Sequence, residues 1–125
     1  MNTLLAVFLG GGLGSLSRYG ISILMVRLQL NNFPWATLIS NTASAFIIGI
    51  LMGSQLVGKD ADSSIWKYFL AVGFCGGFST FSAFSMETVE LAQNGNMHMA
   101  AINGLANLFF SITAASAGIL ISKSI

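Results

Sequence analysis

Four long stretches of apolar residues, separated by short polar segments, dominate the chain. They run roughly from Thr3 to Val26, from Pro34 to near Val57, from near Trp66 to about Ala92, and from about Met99 to Ser122. Each stretch provides the roughly 20 residues that a helix needs to cross a bilayer. We therefore predict an all-α membrane protein in which four transmembrane helices form a single domain, residues 1–125.

The residues at the edges of these stretches support the boundaries. Pro34 suits the first turn of a helix, because the amide proton that it lacks would be unpaired there. Trp35 and Trp66 flank two of the stretches, as aromatic residues do at membrane interfaces. The first stretch lacks a basic leading segment and a clear cleavage site, so we interpret it as a retained helix rather than a signal peptide. Between the stretches lie the polar segments 27–32, 59–62 and 93–98.

The composition agrees with a protein embedded in lipid. Of the 125 residues, 54% are hydrophobic and 7% are charged, whereas average proteins have about 25% charged residues. The net charge of +1 leaves no basic patch to neutralise phosphates, which argues against nucleic-acid binding. A single cysteine, Cys75, excludes an intrachain disulfide and a cysteine metal cluster.

The basic residues hardly distinguish the two sides of the membrane. Four spans place both termini on one side, together with Lys59, Lys67 and Lys123. The other side has Arg27, and Arg18 adds to it if its side chain reaches that interface. The positive-inside rule needs a clear excess of basic residues on one side. Two interpretations therefore stay open. The protein inserts in both orientations, or it has a single, weakly biased topology.

Small residues recur four positions apart in three of the spans. Such spacing lets helix backbones approach closely in lipid, so helix packing is the simplest interpretation of these glycines. The pairs are Gly10 and Gly14, Gly49 and Gly53, and Gly73 and Gly77.

Two spans also carry amide side chains at membrane depth. Asn41 lies on the small-residue face of the second span. Its two donor hydrogens suit an anion, and an interhelical hydrogen bond is the alternative. Asn103, Asn107 and Ser111 form a stripe at i, i+4 and i+8 in the fourth span. A polar stripe of this length is expected to face protein or a water-filled path.

The third span contains the segment Gly73–Ser85, which is rich in glycine, hydroxyl and aromatic residues. These are poor choices for an unbroken helix, and we predict a break near residues 76–80. Unwound backbone at membrane depth must be buried in protein or line a cavity, and its carbonyl oxygens can bind a cation such as Na⁺. Phe81 and Phe84 share a helix face, and their electropositive ring edges suit an anion. Ordinary aromatic packing is the alternative.

The remaining charged residues in the spans have two interpretations each. Glu87 and Glu90 are either proton or cation carriers or side chains near the water interface. Arg18 either extends its side chain to the interface or forms an electropositive vestibule. His98 and Cys75 are interpreted as structural.

Three segments resemble the CrcB/Fluc family of bacterial fluoride channels, and the resemblance covers essentially the whole chain. Residues 10–19 resemble the family's glycine-rich first helix, which ends in Arg-Tyr. Residues 37–41 resemble its second-helix motif with a pore asparagine, and Gly73–Ser85 resembles its third-helix signature. After the asparagine the family usually has Gly-Ser-Phe, where this chain has Ser44-Ala45-Phe46.

The resemblance implies an antiparallel, dual-topology homodimer in the bacterial inner (plasma) membrane, with two parallel fluoride pathways. A structural sodium ion would be held at the dimer interface by the backbone carbonyls of Gly76 and Ser79, and Arg18 would lie in the vestibule. The residues along each fluoride pathway would be Asn41, Phe81, Phe84, Ser82, Ser111 and Asn107.

The function expected from this resemblance is passive, electrogenic fluoride export, which lowers cytoplasmic fluoride and protects against its toxicity. A small multidrug transporter is the main rival, but such a carrier needs a membrane-embedded carboxylate and the first span has none. A structural membrane subunit is a second rival and predicts no ion flux. An enzyme is the least favoured class, because no nucleophile and base pair is visible.

Overall fold

The structure, a computed structural model, describes residues 2–54 and 65–125. In those residues four helices are long and apolar enough to cross a membrane, and no strand is present. The prediction of four apolar spans is therefore confirmed. The predicted end of the second span near Val57 and the polar segment 59–62 lie outside the described residues. The four spans are Thr3–Arg27, Trp35–Gly53, Ile65–Gln93 and Met97–Lys123.

The first two helices begin close to the predicted positions. Helix α1, Thr3–Arg27, follows Asn2, whose side chain accepts a hydrogen bond from the backbone N–H of Leu4. Helix α2, Trp35–Gly53, begins one residue later than predicted. Pro34 precedes the helix because its ψ of 64° is not helical.

The third span is not one continuous α-helix. Tyr68–Phe74 is π-helical, and helix α3, Cys75–Phe78, follows it. Ser79 and Thr80 are extended, with ψ angles of 159° and 120°, and helix α4 then covers Phe81–Gln93. The structure thus places the break at Ser79 and Thr80, at the end of the predicted window, while the glycines before it stay helical. The π-helical turn was not predicted.

Helix α5, Met97–Lys123, starts two residues earlier than predicted. The turn before it passes through Gly95, whose φ of 80° lies in the left-handed region. Glycine adopts this region without a steric penalty, which lets the chain reverse within three residues after Gln93. His98, predicted to lie in the turn, is therefore in the first helical turn of α5 and is exposed.

The helices form two closely packed groups. Helix α1 packs against the π-helical segment and α3, whereas α2 packs along α5, which also contacts α4. A Cβ atom at Gly14 would collide with the carbonyl oxygen of Phe74, and one at Gly49 would collide with that of Ala115. These close approaches of backbone to backbone show that the glycines serve packing, as small residues do between membrane helices.

Many large apolar side chains are exposed, and polar side chains share the interior with apolar ones. Leu4, Phe8 and Leu105 are among the exposed apolar side chains, which suit contact with lipid tails. The largest fully buried side chains are Asn103, Cys75, Ser40 and Ser44. The polar interior lies mainly between α2, α5 and the break in the third span.

Candidate functional site

The break in the third span is held by the side chain of Asn41 in α2. Asn41 Oδ1 accepts a hydrogen bond from the backbone N–H of Thr80 at 2.8 Å, and Asn41 Nδ2 donates to the Thr80 carbonyl oxygen at 3.3 Å. The extended backbone of Thr80 deprives these two groups of helical partners, and the Asn41 amide replaces them. Of the two interpretations of Asn41, the interhelical hydrogen bond is what the structure shows. Contact between Asn41 and an ion stays a prediction.

A chain of amide side chains continues from Asn41 into the fourth span. Asn41 Nδ2 donates to Asn107 Oδ1 at 3.0 Å, and Asn107 Nδ2 donates to Asn103 Oδ1 at 3.0 Å. Asn103 Nδ2 in turn donates to the Thr88 hydroxyl at 2.9 Å. Asn103 is fully buried and Asn107 nearly so. The two asparagines of the α5 stripe therefore face protein, and these bonds tie α2, α4 and α5 together.

A partly open cavity of about 550 Å³ lies beside the break, and we call it the Asn41 cavity. Five of the six predicted pathway residues line it, although they come from α2, α4 and α5. The exception is Ser82, whose hydroxyl lies 3.2 Å from the Thr80 hydroxyl instead. The lining consists of Asn41, Ser44, Ala45, Ile48, Ser79, Thr80, Phe81, Phe84, Gly104, Asn107, Leu108, Ser111 and Ile112.

Phe81 and Phe84 form a tilted aromatic pair at one wall of this cavity. Their ring centroids are 5.6 Å apart, with an angle of 47° between the ring planes. Phe81 is 80% exposed, whereas Phe84 is half-buried. The two rings share a helix face as predicted. Because Phe81 is so little covered by its own chain, it is accessible to lipid or to a second protein molecule.

The break also frees backbone carbonyl oxygens. In a continuous helix the amide of Thr80 would bind the Gly76 carbonyl, and that of Ala83 would bind the Ser79 carbonyl. Here Thr80 N–H donates to Asn41 Oδ1, and Ala83 N–H donates to the Thr80 hydroxyl at 3.1 Å. In the described part of the chain, no backbone hydrogen bond joins α3 to α4 across the break.

The carbonyls that the break frees include both of those predicted to bind sodium. Carbonyl oxygens released from a broken membrane helix are suitable ligands for Na⁺, so the donor set fits the ion that the resemblance implies. Ser79 lines the Asn41 cavity. Gly76 does not line it and is exposed. Binding of sodium by these residues stays a prediction.

Arg18 in α1 also contacts the break. Its Nε donates to the carbonyl oxygen of Gly77 at 3.2 Å, the next residue whose helical bond is lost. A cation is favourable there, because the carbonyl end of a helix carries partial negative charge. The side chain is thus directed at protein rather than extended to the membrane interface. Arg18 does not line the Asn41 cavity, and its vestibule role stays a prediction.

The two glutamates of α4 differ in their surroundings. Glu87 is half-buried and accepts a hydrogen bond from the Thr37 hydroxyl at 2.7 Å, whereas Glu90 is exposed. Both line a second cavity of about 400 Å³, next to the residues that connect α1 and α2. Glu87 therefore links α4 to α2, while Glu90 is accessible at the surface.

Two residues of the site were missed in the sequence. Thr80 supplies both the backbone groups that Asn41 binds and the hydroxyl that caps α4. A hydroxyl residue immediately before a helical run is a typical N-cap signal and would have identified it. Ser44 lies three residues after Asn41, on the same helix face, and this spacing was the available signal for its place in the cavity.

The chain is similar to known proteins over nearly its whole length. Residues 5–119, which include every candidate site residue, match the family model described as CrcB-like protein, Camphor Resistance (CrcB). A relative from Pyrococcus abyssi is 43% identical over 98% of both chains. One from Coxiella burnetii (strain CbuK_Q154) is 40% identical over the full length of both. A third, from Azobacteroides pseudotrichonymphae, is 38% identical over 94% of this chain and 93% of its own. All three relatives carry the name Fluoride-specific ion channel FluC.

Proposed function

This chain belongs to the CrcB-like family, and on that premise we propose that it is a fluoride-specific ion channel of the plasma membrane. Its relatives are named as ion channels and not as enzymes, in agreement with the prediction from the sequence. The proposed activity is passive, electrogenic movement of fluoride down its gradient. Export in this way would lower cytoplasmic fluoride and protect the cell from its toxicity.

The convergence of the predicted pathway residues on one cavity carries this proposal. Fluoride is small and strongly hydrated, so a narrow pathway must replace the water that the ion loses. Hydroxyl groups and the electropositive edges of Phe81 and Phe84 can do so. The Asn41 amide can also contribute, because its 3.3 Å bond to the Thr80 carbonyl is long for an N–H···O hydrogen bond. The free-energy cost of breaking that bond and turning the Asn41 donor toward an ion would therefore be small.

The charge distribution around the Asn41 cavity favours passage over trapping. Helix α4 begins at the break, and the amide end of a helix attracts anions. None of the described residues that line the cavity is a lysine or arginine. Conduction requires binding that is strong enough for entry and weak enough for release, and partial charges meet this requirement better than a full cationic charge.

We further propose that two copies of the single domain, residues 1–125, assemble as an antiparallel homodimer with two pathways. The 80% exposure of Phe81 supports a second copy that completes the pathway. The nearly balanced basic residues support insertion in both orientations. The Gly76 and Ser79 carbonyls of both copies would hold a structural sodium ion, which would supply a fixed positive charge between the subunits.

Fluoride release from liposomes tests the proposed function. Purified protein is reconstituted into liposomes loaded with potassium fluoride, and release is followed with a fluoride-selective electrode. We expect release only after a potassium ionophore is added, because electrogenic flux stops unless a counterion moves. Chloride-loaded liposomes, followed with a chloride electrode, should release little.

Three results would contradict the proposal and separate its rivals. Absence of fluoride release would favour a structural subunit. Release without the ionophore would exclude electrogenic conduction. Proton-coupled uptake of a hydrophobic cation, without fluoride release, would favour a multidrug transporter.

A further inference from the structure

Ser44 in α2 has a buried hydroxyl group without a partner. Ser44 is 2% exposed, and within the described residues its Oγ makes no hydrogen bond. Serines in helices commonly donate to the carbonyl four residues earlier, as Ser40 does to Ala36 at 2.8 Å and Ser116 does to Ile112 at 2.9 Å. Ser44 departs from this pattern. A buried hydroxyl that stays unpaired is costly, so its position favours a partner that is not part of the polypeptide.

The surroundings of Ser44 indicate what that partner is. Ser44 lines the Asn41 cavity together with Asn41 and Asn107. Both donor hydrogens of Asn41 are used, toward the Thr80 carbonyl and Asn107 Oδ1. The Asn107 amide nitrogen donates to both oxygens of Asn103. Ser44 therefore lines the cavity and carries a donor that no group within the described residues uses.

We propose that Ser44 is an additional anion-binding residue of the pathway, and that its hydroxyl donates a hydrogen bond to fluoride as the ion passes Asn41. This inference rests on the proposed fluoride channel function and adds a ligand to it. Ser44 lies within one helical turn of Asn41 on the same face of α2. An ion that leaves the ring edges of Phe81 and Phe84 would thus meet the amide and the hydroxyl together. The hydroxyl lowers the cost of dehydration at that point without a full charge.

Flux measurements on substituted full-length protein test this proposal. Ser44→Ala removes only the hydroxyl, and we expect fluoride release from liposomes to slow by about threefold to tenfold, as for loss of one hydrogen bond. Ser44→Cys keeps a weak donor of similar shape and should give an intermediate rate. Ser40→Ala is the matched control, because Ser40 is also fully buried in α2 but does not line the cavity. Its rate should equal that of the unsubstituted protein.

The outcomes separate this inference from the proposed function. Equal rates for Ser44→Ala and the unsubstituted protein would overturn the inference and indicate that the hydroxyl binds only water. Equal losses in Ser44→Ala and Ser40→Ala would also overturn it, because they would indicate a general packing effect. If Ser44→Ala does not fold, as judged by gel filtration, an unchanged rate in Ser44→Cys overturns it. Absence of flux in the unsubstituted protein would instead contradict the channel function itself.

Discussion

Asn41 and Thr80 form a two-way contact across 39 residues of sequence: the side-chain amide of Asn41 accepts from the Thr80 N–H and donates to the Thr80 carbonyl. A side chain from α2 thereby performs the role that helical neighbours perform elsewhere in the third span. The same amide also donates to Asn107 in α5. One residue thus holds the break, the cavity beside it and the fourth span in a fixed arrangement.

Replacement of Asn41 by alanine should therefore impair both stability and conduction. The variant leaves the Thr80 N–H and Asn107 Oδ1 without partners, and each unsatisfied buried group costs about 1–3 kcal/mol. We expect a lower unfolding temperature in detergent and fluoride flux reduced by about tenfold or more, since 1.4 kcal/mol corresponds to a factor of 10. Asn96→Ala is a suitable control, because Asn96 is exposed and its side chain makes no cap bond. Normal flux in Asn41→Ala would refute this role.

The freed carbonyls of Gly76 and Ser79 predict that sodium stabilises the protein. A ligand that binds the folded state raises stability by mass action, by about 2.7 kcal/mol at a hundredfold excess over Kd. The unfolding temperature of the purified protein should therefore be higher in sodium chloride than in N-methylglucamine chloride. Potassium chloride serves as the control for a larger monovalent cation. Identical unfolding temperatures in all three salts would argue against a sodium site.

The contact between Gly49 and Ala115 predicts a strong sensitivity to a single methyl group. In Gly49→Ala the new Cβ collides with the Ala115 carbonyl oxygen, and overpacking of this kind typically costs about 1–3 kcal/mol. The unfolding temperature should fall, with a shift toward aggregated protein on gel filtration. Gly20→Ala is the control, because Gly20 is exposed and a Cβ there meets nothing within 4 Å. Equal stability of the two variants would show that α2 and α5 do not pack this closely.

The proposed antiparallel dimer predicts that the C-terminus lies on both sides of the membrane. Ser124 is exposed, whereas the native Cys75 is buried, so Ser124→Cys provides one reactive thiol. A membrane-impermeant thiol reagent should label about half of the protein in intact cells, as expected when no charge bias sets the orientation. Cell lysis should expose the rest. Complete labelling, or complete protection, of intact cells would demonstrate a single topology.

The four spans could be predicted because a run of apolar residues long enough for the bilayer is a local property of the sequence. The break could also be predicted from a local property, because Gly73–Ser85 is rich in residues that weaken a helix. The pairing of Asn41 with Asn107 was not predictable, because their separation of 66 residues gives no information on which helix faces meet. The π-helical turn includes Gly73, which packs closely against Val7 and Gly10 of α1, and the spacing of residues in the sequence does not reveal it.

Two side chains of the site could be placed only with the structure. The resemblance assigns Ser82 to the pathway, and that role stays a prediction. Its hydroxyl lies 3.2 Å from the Thr80 hydroxyl, and Ser82 does not share a helix face with the neighbouring Phe81. The sequence does not decide whether Arg18 extends to the interface or forms a vestibule. Its partner in the structure, the Gly77 carbonyl, becomes available only because the third helix breaks.

If fluoride passes Phe81 and Phe84 as proposed, conduction depends on their aromatic rings, and a comparison of rings with aliphatic side chains at those two positions tests this dependence. The double variant Phe81→Ile/Phe84→Ile keeps bulk and hydrophobicity but removes the electropositive ring edges. The control is the double variant Phe109→Ile/Phe110→Ile. These two residues form an exposed aromatic pair of α5, with ring centroids 5.4 Å apart. We predict that the electrode detects little fluoride release from liposomes with the first variant and normal release with the second. Normal release with the first variant would contradict the assigned pathway.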